Sequence, residues 1–92
     1  MRGVPRIVFT PQLRRFTATP EVTSDAATLR ALLDDAFACN PQLRGYLLDD
    51  QGHLRPNVVV FIDGRRSRDR TGLGDALSPD SQVHVLQALS GG

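Results

Sequence analysis

The chain predicts an α+β domain in which a mixed sheet of four to five strands is crossed by one main helix. Three stretches carry that prediction. Leu29, Leu32, Leu33, Ala36 and Phe37 recur at helical spacing and form one apolar stripe. Val58-Val59-Val60-Phe61-Ile62 is an unbroken β-branched and aromatic run closed by Asp63-Gly64, a strong hairpin signal. Gln82 to Gln87 alternates, with Val83 and Val85 on one side of His84. Strands on both sides of a single long helix fold most simply as a sheet with the helix packed across it.

Taken in order, Val4 to Thr10 opens with a strand centred on Ile7-Val8-Phe9. Pro5 stands at its start, where a missing N–H does least harm, and Pro11 closes it. Thr17 to Thr23 reads as a second strand, and Pro20 within it suits an edge or a bulge. The two together predict a β-hairpin. Ser24 or Asp25 is the expected N-cap of the helix, since either side chain can accept from the first free N–H groups. Asn40-Pro41 ends it, because the residue before proline is pushed out of the α region. Cys39, in the final turn, reads as a small buried or half-buried filler.

Pro41 then starts a short helical turn with Leu43, Tyr46 and Leu47 facing inward, and Asp49-Asp50-Gln51-Gly52 is a turn. Five apolar residues in a row place Val58 to Ile62 at a central position. With Val58, Val60 and Ile62 toward the helix, Val59 and Phe61 point to a face that has no helical cover, and an apolar patch there marks a partner surface. Arg65 to Arg70 reads as a charged loop or short strand, Gly72 to Leu77 as an irregular turn, and Ser78-Pro79-Asp80-Ser81 as the β-turn into the last strand. The first and last strands are expected side by side at the centre, running parallel.

Length and composition set the bounds. Ninety-two residues make one domain, with residues from about 88 onward as a flexible tail. The net charge is only +1, the aromatic content is 5% and the acidic residues are spread through the chain, so neither a phosphate-tracking groove nor a base-stacking platform stands out and nucleic-acid binding is not expected. All 11 basic residues are Arg. No lysine exists to act as a nucleophile, form a Schiff base or accept an isopeptide bond. One cysteine makes no internal disulfide or CxxC site. His53 and His84 have no acid or cysteine at ligand spacing, so they read as structural or exposed and no metal site is expected. No run reaches the ~18 apolar residues of a membrane span, and no signal pattern opens the chain. The expectation is a cytoplasmic protein without catalytic residues of its own.

What remains is the end, Ala88-Leu89-Ser90-Gly91-Gly92. Two residues without side chains give the narrowest cross-section and the widest backbone freedom a chain can have. Such an end can thread into a narrow channel of another protein and present its carboxylate.

Four features together resemble the MoaD/ThiS family of ubiquitin-like sulfur carriers, closest to its longer members, those of cysteine biosynthesis and the archaeal small modifiers. They are the helix Thr28-Leu29-Arg30-Ala31-Leu32-Leu33 after the hairpin, the stretch from Asp50 to Gly64, the segment Leu77-Ser78-Pro79-Asp80-Ser81-Gln82-Val83, and the Gly91-Gly92 end. The middle stretch is similar to the family's "dG-lr--vnvfvNg" and the segment to its "L-dgDeV". The chain departs from the family at Gln87, where proline is common, and at Ser81, where an acid is frequent.

The resemblance implies a β-grasp fold and a function. An E1-like adenylyltransferase adenylates the Gly92 carboxylate with ATP, and a persulfide from a rhodanese or cysteine desulfurase displaces AMP to leave a thiocarboxylate. An acceptor biosynthetic enzyme, for cysteine, molybdopterin, thiamine or a similar product, then takes the sulfur. The carrier itself binds no cofactor and ATP belongs to the activating enzyme. On this reading Gly92 is the reactive end, Gly91, Ser90 and Leu89 form the arm, and Phe61, Val59 and Leu86 are the docking candidates. Two other outcomes stay open: a ubiquitin-like modifier or interaction domain, and a permanent small subunit of a molybdopterin-synthase-like enzyme.

Overall fold

The computed structural model of the chain describes residues 4–9, 11, 13, 17, 19 and 21–87. The tail residues Leu89, Ser90, Gly91 and Gly92 lie outside the described residues, as does Pro20. Five strands and two helices follow one another: β1 (Arg6–Phe9), β2 (Val22–Thr23), α1 (Leu29–Cys39), α2 (Gln42–Leu47), β3 (Val58–Ile62), β4 (Arg65–Arg66) and β5 (Gln82–Gln87). They form one mixed sheet in the order β2-β1-β5-β3-β4. The expected parallel pair is at its centre, with Ile7 opposite Val83 and Phe9 opposite Val85. β5 pairs antiparallel with β3 on its other side, from Val58↔Gln87 to Ile62↔Val83.

The alternation of β5 decides the layers. Val83 and Val85 are buried with Ile7, Phe9, Val58 and Val60, and all pack with Leu29, Leu32, Leu33, Ala36 and Phe37 of α1 and with Leu43 and Leu47 of α2. Each of these side chains larger than alanine contributes about 1.5–3 kcal/mol when it leaves water. Both helices thus cover the same face of the sheet, and Ile62 packs at the rim of this core.

Local chemistry sets the boundaries. The helix cap is Thr28 rather than Ser24 or Asp25: its Oγ1 accepts from Ala31 N at 3.2 Å. Leu29 N and Arg30 N donate to the Asp75 and Leu73 carbonyls, so the 73–75 segment supplies the rest of the cap. Ser24 instead donates its hydroxyl to Asp35 and accepts from Ala26 N. Cys39 is exposed, contrary to the expected filler role, because the buried stripe of α1 ends with Phe37 and the last turn presents residue 39 to solvent. β2 is shorter than expected. It pairs with β1 only at Arg6↔Thr23 and Ile7↔Val22, and Thr17, Thr19 and Glu21 are not in strand. The β3–β4 hairpin has a two-residue loop in which Asp63 (φ 53°) and Gly64 (φ 82°) both have positive φ. That is the turn whose twist matches the flanking strands, and Asp and Gly are the residues that tolerate it.

Candidate functional site

The residues expected to dock a partner come together. Val59 and Leu86 are direct cross-strand partners, and Phe61 lies opposite His84. Paired residues share a face of the sheet. His84 in turn lies opposite Val8 on β1, and Phe61 opposite Arg66 on β4. The face turned away from both helices therefore carries Val8, Val59, Phe61 and Leu86 around His84, with Arg66 at one edge. Leu86 is 42% exposed, whereas Val59, Phe61 and Val8 are half-buried among their neighbours. This is a small apolar patch on three adjacent strands. Its centre is β5, the last strand in the chain order of the described residues.

Gln87, the departure from the family's common proline, is the last described residue of β5. Its side chain faces the helices, opposite Val58, and its Nε2 donates to the Tyr46 carbonyl at 3.1 Å. The bond ties the end of β5 to the last turn of α2. Its Oε1 is buried without a partner among the described residues. The position was visible as the next inward step after Val83 and Val85. The carbonyl that it reaches was not, because Tyr46 is 41 residues away in sequence.

The loops on the helix side are held by charged groups used structurally. Arg70 donates to the carbonyls of Arg55 (2.6 Å) and Val58 (2.8 Å), fixing the entry to β3. Asp69 accepts from the N–H groups of Gly72 (2.8 Å) and Gly74 (3.1 Å), and these bonds hold its carboxyl below the usual carboxylate range. The N–H of His53, with a smaller effect from that of Gln51, lowers Asp49 in the same way against a partly opposing burial. Among the described residues, no three of His, Cys, Asp and Glu come together in a way that could hold a metal ion, and no helix is long and apolar enough to cross a membrane.

A mixed five-stranded sheet with a parallel central pair, helices on one face and an open apolar patch on the other is the β-grasp fold of ubiquitin-like proteins. Solved structures share it along nearly the whole chain. SAMP1 from Haloferax volcanii superposes with a TM-score of 0.79 at 22% identity, covering 98% of this chain and 100% of its own. A chain of the Amycolatopsis orientalis BexX/CysO complex gives 0.78 at 20% identity, covering 96% and 99%. Urm1 from Trypanosoma brucei gives 0.71 at 18% identity, covering 99% and 97%. The chain belongs to the ThiS family, whose model matches residues 7–92. No curated protein matches it by sequence.

Proposed function

We propose that this protein is a sulfur carrier whose working group is the Gly92 carboxylate. The observation that carries the reading is the ThiS-family match running through Gly91-Gly92 to residue 92. The Val59–Leu86 patch supports it, because a carrier needs a surface by which partners can hold the domain while the arm is in an active site. A carboxylate is ionised at neutral pH and is a poor electrophile. In the first step one of its oxygens attacks the α-phosphorus of ATP on an E1-like enzyme, pyrophosphate leaves, and an acyl-adenylate forms. The terminal sulfur of a donor persulfide then attacks the acyl carbon and AMP leaves, giving an acyl disulfide between carrier and donor. A second donor thiol cleaves the S–S bond and is oxidised to a disulfide, and the carrier keeps the sulfur as a thiocarboxylate. On an acceptor enzyme the thiocarboxylate sulfur bonds to an electrophilic carbon of the substrate, and water then attacks the acyl carbon of the resulting thioester, which leaves the sulfur on the substrate and restores the carboxylate.

Gly91 and Gly92 keep the arm narrow enough to enter such sites, and a side chain at Gly91 would widen it and restrict its backbone. The domain supplies position and no acid–base chemistry. The apolar patch is small, as suits a carrier that must leave each partner in turn.

Intact mass after incubation with ATP, an E1-like enzyme and a sulfur donor tests this. The expected species is heavier by the difference between one sulfur and one oxygen, and it is absent from a chain lacking Gly92. Unchanged mass under conditions where pyrophosphate is released would sink the reading. The second reading, a protein modifier, draws on the likeness to the small archaeal modifier protein SAMP1. It predicts covalent adducts to target amines under the same conditions.

A further inference from the structure

The arginine group at the β3–β4 hairpin forms a cleft that the apolar patch does not use. Arg65, Arg66, Ser67 and Arg68 line it from the hairpin side, and Asp75 and Ala76 from the loop that caps α1. Its volume is about 910 Å³ and it is open to solvent. The acidic groups that border it are already engaged. Asp75 accepts from the N–H groups of Arg68 and Asp69, and Asp63 accepts from the Ser81 hydroxyl and Gln82 N. Among the described residues, no carboxylate lies within ion-pairing distance of Arg65, Arg66 or Arg68, and no hydrogen bond occupies their guanidinium groups. Nearby Arg70 and Arg55, by contrast, spend theirs on backbone carbonyls. Ser67 stands between Arg66 and Arg68, is only 6% exposed, and its hydroxyl has no partner among the described residues.

The arrangement of the charges selects the occupant. Arg65 pairs with Ile62 and Arg66 with Phe61, so their side chains leave opposite faces of the edge strand. Both border the cleft, and a row of carboxylates crossing that edge can engage them together, since planar guanidinium groups match carboxylates in pairs of parallel hydrogen bonds. Arg66 also shares its row with Phe61, so the basic edge is continuous with the apolar patch. An apolar centre bordered by charge is the usual anatomy of a specific interface.

We propose that the Arg65-Arg66-Ser67-Arg68 edge docks a carboxylate-rich segment of a partner protein. It extends the docking surface inferred above to the charge of its partner. Its test uses no activating enzyme, so failure here and failure of the carrier reading are separate results.

The probe is a short Asp/Glu-rich peptide titrated into the full chain at low salt and followed by backbone amide NMR. Shifts are expected at residues 65–68 and 75–76. Arg65→Gln with Arg68→Gln should weaken binding about tenfold, whereas Arg30→Gln with Arg44→Gln, which removes the same charge elsewhere, should stay within about twofold. The charge-reversed pair Arg65→Glu with Arg68→Glu should bind a Lys-rich peptide instead. Equal weakening by both glutamine pairs would reduce the effect to net charge and overturn the proposal. So would shifts confined to other residues, displacement of the peptide by an equal concentration of inorganic phosphate, or tighter binding of a single-stranded oligonucleotide than of the peptide.

Discussion

The Ser81 hydroxyl donates to the Asp63 carboxylate at 3.0 Å, joining the turn after β3 to the start of β5. Around this bond the other Asp63 oxygen accepts from Gln82 N, and Ser81 Oγ itself accepts from Ser78 N. Ser81 is buried and Asp63 is exposed, so the bond is partly shielded from water. Ser81→Ala should cost about 1–2 kcal/mol. Ser81→Asp, which introduces the acid frequent in the family, should cost more than the alanine change, because it places a carboxylate at the buried position 81 against the exposed Asp63. Adding Asp63→Asn should recover more than half of that loss. Urea denaturation of the four chains in a double-mutant cycle measures the coupling, and additive effects would show that the two residues act independently.

Leu86 tests the open face. It is exposed, so Leu86→Asp should change stability by no more than about 0.5 kcal/mol. If partners hold the domain by this patch, the same change should lower kcat/KM for ATP-dependent activation about tenfold or more, as loss of a central contact does. Val59→Asp should act in the same direction. Pyrophosphate release by the activating enzyme reads both, with thermal melts as the control for folding.

Gln87 separates tethering from polarity. Gln87→Ala removes the bond to the Tyr46 carbonyl and the surrounding packing, and should cost about 1–2 kcal/mol. Gln87→Leu keeps most of the volume and removes an acceptor that has no partner, so it should cost less than the alanine change. Both variants lack the Nε2 donor, so the difference between them reads packing alone, and a leucine variant less stable than the alanine variant would show that the site does not accept an apolar side chain of that size.

Asp69 should make stability depend on acid. Its carboxyl is held below its ordinary range in the fold, chiefly by the N–H groups of Gly72 and Gly74. A group with a lowered folded pKa stabilises above its unfolded value and loses that contribution as pH falls through the folded one. Asp69→Asn keeps an acceptor oxygen and removes the charge. The melting temperature of the wild-type chain should exceed that of Asp69→Asn by a constant amount from neutral pH down to about 5, and the gap should close as pH falls below about 4. A gap independent of pH would assign the effect to hydrogen-bond geometry rather than charge.

Much of this architecture is legible in the chain because it rests on local periodicity. The α1 stripe, the β3 run with its Asp63-Gly64 turn and the alternation in β5 each state which side chains must leave water. The parallel β1–β5 pair follows from burying those faces together. The docking candidates Val59 and Phe61 were legible for the same reason: alternation puts them opposite Val58 and Val60. The cap of α1 was not. Ser24, Asp25 and Thr28 are all competent acceptors, and the choice fell to Thr28 because Asp35 takes the Ser24 hydroxyl and the 73–75 segment reaches the helix start. Cys39 came out exposed because burial at the end of a helix depends on what packs there.

The sequence by itself determined the two layers, the central strands and the family to which the chain belongs, since side-chain periodicity and turn chemistry act over a few residues. Only the tertiary structure decided which residues meet across long separations. It set Leu86 beside Val59, Gln87 under Tyr46, Ser81 against Asp63, and Arg65, Arg66 and Arg68 around one edge with no carboxylate among the described residues in ion-pairing distance. Those meetings depend on strand register and on competition for hydrogen-bond acceptors, and both are settled only when the sheet closes around its core.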